Sequence, residues 1–224
     1  MSEEEKECLA HYYSPSMWNK RMDPGEVVDY HVNICTSHSE NVCKNSHWEP
    51  SVCYGEKKAK MDICYPSQEN YDTAVNGSGG ICAPVVLFVH GGYWQAGSRK
   101  TYSFVSKSWT KAGCVAAVVG YNLAPEASLH QMVSEIKSAV KYINTRFPKS
   151  KLFFCGHSAG AHLCAMMMVS DWSKDPSIPQ AIHGIAWFRP EFHRQAKEFV
   201  EILKIHNVQC SLLELPGVDH LLKS

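Results

Sequence analysis

No Lys, Arg, Asp or Glu occurs between Leu152 and Ser170, and Gly156-His157-Ser158-Ala159-Gly160 stands inside that stretch. A membrane span needs about 20 unbroken apolar residues, and the glycines leave each half too short. The stretch therefore reads as a buried strand, a sharp turn and a helix. A strand that is apolar on both faces needs sheet neighbours covered by helices, which narrows the folds open to the chain. Two further runs have the same character, Ala83–His90 and Cys114–Tyr121. Between the second run and Leu152, the residues Leu129, Met132, Val133, Ile136, Val140 and Ile143 recur at helical spacing, so a crossover helix packs on the sheet. Later segments read as a strand near His183–Phe188, an amphipathic helix from Pro190 and a strand from Val208 to Leu215. The pattern is α/β with a mainly parallel sheet and flanking helices.

Residues 1–55 are rich in Asn, Ser and His, carry Pro15, Pro24 and Pro50, and read as an irregular, wrapping N-terminal extension with short helices. Lys60–Pro66 alternates polar with apolar residues and ends at proline, the pattern of an edge strand. Neither repeats nor an interdomain linker interrupt the chain, so 1–224 is expected to be a single domain with its core in 56–224. Lys+Arg and Asp+Glu both number 22, which leaves no basic surplus for a nucleic-acid backbone. The ten cysteines are scattered, none in C-x-x-C spacing, and several lie in apolar runs. Reduced, mostly buried thiols are expected, with no metal cage. The acidic start, Met1-Ser2-Glu3-Glu4-Glu5, lacks the basic and then apolar character of a signal peptide. A cytosolic chain with no membrane partner is expected, the nucleus remaining open.

Gly156-His157-Ser158-Ala159-Gly160 matches G-x-S-x-G. That chemistry places a serine on a strained strand-to-helix turn, where side chains two residues to either side would strike neighbouring backbone. At the end of the Ala83–His90 run stands His90-Gly91-Gly92-Tyr93-Trp94. Its glycines free the backbone N–H groups of Gly91 and Gly92 to face a developing oxyanion, with the N–H of Ala159 as a third donor. Gly92 and Gly97 also have phosphate-loop spacing, but Ser98-Arg99 follows where Lys and a hydroxyl residue are required. Among the downstream histidines, His162 lies on the serine's own helix, His183 opens a strand, and His193 and His206 fall on or at the end of the amphipathic helix. His220 alone occupies a loop directly after a final strand, so it is the expected general base for Ser158. Tyr93 and Trp94 are expected either to border an aryl pocket or to pack beneath the loop.

Five segments together resemble the animal kynurenine formamidase (arylformamidase) family of the α/β-hydrolase superfamily. They are the His-Gly-Gly-x-Trp loop, Tyr121-Asn122-Leu123-Ala124-Pro125, the Gly156–His162 elbow, Pro190-Glu191-Phe192-His193-Arg194-Gln195 and Gly217-Val218-Asp219-His220. The resemblance implies an α/β-hydrolase fold and hydrolysis of N-formyl-L-kynurenine, or a related aryl formamide, to L-kynurenine and formate in tryptophan breakdown. It implies no metal or organic cofactor, and it leaves a homodimer open.

The chain departs from that family between the elbow and His220. Only 61 residues lie between Ser158 and His220, room for one strand–helix unit where the fold normally has two before its last strand. Phe188-Arg189 stands where the family has an Asp-Ser dipeptide. The triad acid is therefore unassigned. Glu191 lies in the first turn of a helix, a dipole-favoured surface position, and Asp219 abuts His220. The expectation is a shortened form lacking one strand–helix unit and a C-terminal helix. A carboxylesterase of the same fold and a non-catalytic variant acting through association remain as alternatives.

Overall fold

The computed structural model describes residues 2–18, 22–66, 82–188 and 201. Contacts divide the chain into two compact units, one of residues 1–34 with 189–224 and one of residues 35–188. In the first unit, α1 (Glu3–Tyr13) opens on a capping box. The Ser2 hydroxyl accepts from the Glu5 amide, and the Glu5 carboxylate accepts from the Ser2 amide. The helix α2 (Val27–Lys44) begins in this unit and continues into the second.

The second unit carries a six-stranded sheet among the described residues, in the order β1 (Trp48–Cys53), β2 (Lys60–Cys64), β4 (Val115–Val119), β3 (Val85–Val89), β5 (Leu152–His157), β6 (Ile182–Phe188). The pairs β1–β2 and β2–β4 are antiparallel, and the other three are parallel. Among the described residues, the further α-helices of the unit are α3 (Arg99–Tyr102), α4 (Ser106–Lys111), α5 (Leu129–Arg146), α6 (Ala159–Met168) and α7 (Ser177–Ala181).

Alternation along β3 sorts the core into two layers. Val85, Leu87 and Val89 join the cluster that α5 and α6 cover through Met132, Ile136, Val140, Leu163 and Met167. Val86 and Phe88 face the opposite way and meet Tyr102, Val105 and Trp109. The helix α5 supplies the stripe that its sequence spacing predicts. Ser128 caps it by accepting from the Gln131 amide, and the Gln131 side chain returns the bond to the Ser128 amide.

Two expectations need correction. Residues 1–55 are more regular than expected: beside the helix α1 they contain the 18-residue α2, longer than the short helices foreseen, and the strand β1. Lys60–Cys64 is not the edge either, because β1 pairs along it on the outer side. Pro50 sits in β1, where an outermost strand tolerates a missing N–H, and the pairing register shifts between Glu49 and Val52. The expected strands at 83–90, 114–121, 151–156 and 183–188 appear within two residues of their predicted bounds. The expected helix from Pro190, the strand from Val208, and His220 with the candidate acids Glu191 and Asp219 lie outside the described residues.

Cys64 and Cys164 are buried thiols, and burial raises that of Cys64 to about 12 and that of Cys164 well above its usual value. No described helix is long and apolar enough to cross a membrane.

Candidate active site

The strands β3 and β5 lie side by side, but their onward connections leave in opposite directions along the sheet, β3 to β4 and β5 to β6. In an open α/β sheet such a switch point opens a crevice beyond the carboxyl ends of the strands. Both sequence motifs fall there. The glycine loop of residues 90–97 leaves β3, and the Gly156–Gly160 turn leaves β5, with Val89 opposite Gly156 in register.

Ser158 occupies the turn at φ 51° and ψ −117°, a conformation that costs a non-glycine residue on the order of 1–3 kcal/mol. The flanking glycines explain how the turn persists. A Cβ on Gly156 would stand 2.5 Å from the Ala161 Cα, and one on Gly160 would stand 2.0 Å from the Val89 carbonyl oxygen. These approaches let α6 start directly on the ends of β3 and β5. Although Ser158 is the N-cap residue of α6, its hydroxyl makes no capping bond, while its carbonyl accepts from the Ala161 and His162 amides. The side chain is thus left at the positive end of a helix, and 7% of the residue is open to solvent.

The glycine loop passes over this serine. A Cβ on Gly91 would lie 2.8 Å from the His157 carbonyl oxygen and 3.0 Å from the Ser158 Cβ, so only a bare backbone fits. Gly92 has φ 124°, and its carbonyl accepts from both Gln95 and Ala96, closing the loop into a tight turn. Tyr93 and Trp94 follow at φ 52° and 61°. The Ala124 amide donates to the Trp94 carbonyl at 2.8 Å, fixing the loop from the β4 side.

His90 holds the loop's origin. Its ring is stacked between Tyr121, 4.5 Å away, and Tyr102, 5.9 Å away, and the Tyr121 hydroxyl donates to the His90 carbonyl. Burial, with further push from the Arg99 and Lys58 charges, lowers the imidazole to about 4, so the ring is neutral at pH 7. Its Nδ1 lies 2.8 Å from the Gly91 carbonyl oxygen, a contact that requires Nδ1 to carry the ring's proton. A trans peptide points its C=O and N–H in opposite directions, so drawing the Gly91 carbonyl toward His90 turns the Gly92 N–H the other way.

A family model described as the alpha/beta hydrolase fold matches residues 86–193, which include both motifs. Kynurenine formamidase of Danio rerio is 35% identical over 177 residues, covering 78% of this chain and 57% of the relative. The Salmo salar enzyme of the same name is 33% identical over the same shares. The chain has an α/β-hydrolase fold and is similar in sequence to kynurenine formamidases. It spans little more than half the length of those two relatives. A solved structure of a candidate thioesterase from Silicibacter sp. tm1040 shares this fold, with a TM-score of 0.64, 21% identity and coverage of 79% of this chain and 61% of that one.

Within this α/β-hydrolase fold, the strand β6 ends at Phe188, which pairs with His157 beside the elbow. The end of β6 is thereby held next to the residue that precedes Ser158. Of the two aromatic residues in the glycine loop, Tyr93 is exposed, whereas Trp94 packs against the main core and stands edge-on to His162. The Trp94 indole Nε1 is buried with no hydrogen-bond partner among the described residues. His183 lies exposed at the start of β6, away from the elbow. A separate groove of about 730 Å³, lined by Asn41, Val42, His47, Tyr65, Lys107 and Thr110 among others, includes no residue of the elbow or the glycine loop. Sequence reading missed Tyr102 and Tyr121 as the walls around His90; the only signal for Tyr121 was its place at the end of a buried run.

Proposed function

We propose that this chain is a serine hydrolase acting on an aryl formamide, with N-formyl-L-kynurenine as substrate and L-kynurenine and formate as products. The observation that carries the reading is the approach of the bare Gly91 backbone to Ser158, two motifs far apart in sequence meeting at one switch point. The kynurenine formamidase homologues support the substrate.

In this reading the Ser158 hydroxyl attacks the formyl carbon while His220 takes its proton. The carbonyl oxygen becomes an oxyanion facing the amides of Gly91, Gly92 and Ala159. Collapse breaks the C–N bond, and His220 returns the proton to the departing aryl amine, leaving a formyl ester on Ser158. Water, deprotonated by His220, attacks that ester and releases formate and the free serine. Ser158→Ala should lower kcat for N-formylkynurenine at least about 10²-fold while leaving the thermal melt within a few degrees of wild type. Undiminished turnover in Ser158→Ala would sink the proposal, and faster hydrolysis of p-nitrophenyl acetate without formate release would favour an esterase.

A further inference from the structure

The glycine loop has a return arm as well as an outgoing one. Ala96 and Gly97 fold back on it: a Cβ on Gly92 would strike the Ala96 carbonyl at 2.1 Å, and one on Gly97 would lie 2.6 Å from the Gly91 carbonyl oxygen. The position of Gly91 and Gly92 therefore depends on where residues 96–97 are held. Immediately after them Ser98 caps α3 by accepting from the Thr101 amide, and Arg99 is the first residue of that helix.

Arg99 is tied to the antiparallel strands β1 and β2. Its Nε donates to Asp62 Oδ1 at 2.9 Å, and its Nη2 donates to the Ser51 hydroxyl at 2.7 Å. The same Asp62 oxygen accepts from the Ser51 amide at 2.8 Å. Ser51 has φ 58° and lies where the β1–β2 register shifts, so the irregularity in β1 aims its amide and hydroxyl at this cluster. The Asp62 side chain is 2% exposed and that of Arg99 13%. A carboxylate in the middle of a buried strand is expensive unless paired and hydrogen-bonded, and here both conditions are met.

We infer that the Asp62–Arg99–Ser51 cluster is a positioning device for the glycine loop: it sets the return arm of residues 96–97 and, through it, the two amides that face Ser158. The inference deepens the hydrolase reading and rests on it for its catalytic consequence, but the mechanical part stands on geometry alone. Arg99 supplies two directed donors from one planar group, which lysine does not reproduce.

The test uses the whole chain, in Arg99→Gln and Arg99→Lys. Asp62→Asn combined with Arg99→Gln leaves no lone buried charge and keeps amide groups to hydrogen-bond. Lys100→Gln, exposed and one residue on, is the control. Hydrogen exchange across residues 90–98 should accelerate about 10-fold or more in both Arg99 variants, with other strands of the sheet unchanged, a local rather than global opening. With N-formylkynurenine, kcat should fall about 10- to 100-fold and KM stay within about 3-fold, because oxyanion donors act mainly in the transition state. The double variant should recover the melting temperature but not kcat. If both a folded Arg99→Gln and the folded double variant exchange and turn over like wild type, the inference is wrong. If exchange accelerates in 90–98 while wild type itself hydrolyses nothing, the anchor stands and the hydrolase reading fails.

Discussion

Burial makes His90 a liability that the site uses. Held near a pKa of about 4 in the fold and near ~6.5 once unfolded, it binds fewer protons in the native state across that interval. Stability is therefore complete above about pH 6.5 and is lost as pH falls toward 4, by a total on the order of 3 kcal/mol for this group. Other groups titrate in the same window, so the measurement is a difference: urea melts of wild type and His90→Asn from pH 7 to 4, with the variant losing less stability on acidification. At Gly91 the effect belongs to rate. Gly91→Ala pushes a methyl against the His157 carbonyl and Ser158 Cβ, so the loop must withdraw. Stopped assays on a folded variant should show kcat lowered by about 10²-fold or more, as for removal of one oxyanion donor. The tight Gly156–Gly160 turn and the glycine loop that approaches it were legible in the sequence because a close approach of backbone to backbone leaves glycine no substitute. The tyrosine walls of His90 were not, because stacking joins residues from β3, α3 and the end of β4 and has no local pattern.

At the level of elements, burial on both faces made the parallel strands readable, since β3 and β4 are fully buried and contain only apolar residues. The helix α5 was readable for the complementary reason, a single apolar stripe. Ile136 lies wholly buried in that stripe, so Ile136→Ala should lower unfolding free energy by about 2–5 kcal/mol, measured by chemical denaturation, without altering the elbow. The helix α2 hid behind Thr, Ser, Asn, His and β-branched residues, all weaker helix formers, so its periodicity was faint. The strand β1 hid behind Pro50, which local rules count against a strand; the outermost position and the register shift remove that objection. With β1 outside β2, Ser51 also meets Asp62, the buried partner of Arg99. The error about the edge and the failure to see the anchor were one mistake, since an alternating strand does not reveal what covers its polar face.

For the molecule as a whole, the hydrolase reading asks residues 90–97, the elbow and His220 to act as one catalytic group. Kinetics can test that without reference to how the chain's two units are arranged. If His220 activates Ser158, removing either group disables the same step, and removing both adds nothing further. Independent contributions would instead multiply. Each single variant, Ser158→Ala and His220→Ala, is expected to reduce kcat at least about 10²-fold, with the double variant at the same floor within error. The absolute scale tests the acid: if no carboxylate orients the imidazole, kcat should stand roughly 10⁴-fold below that of an intact triad enzyme. Wild-type turnover measured beside the Danio rerio kynurenine formamidase checks that figure. Comparable rates in the two would mean that a carboxylate orients the base, and neutralising substitutions, Glu191→Gln and Asp219→Asn, would then identify which one by a matching loss in kcat.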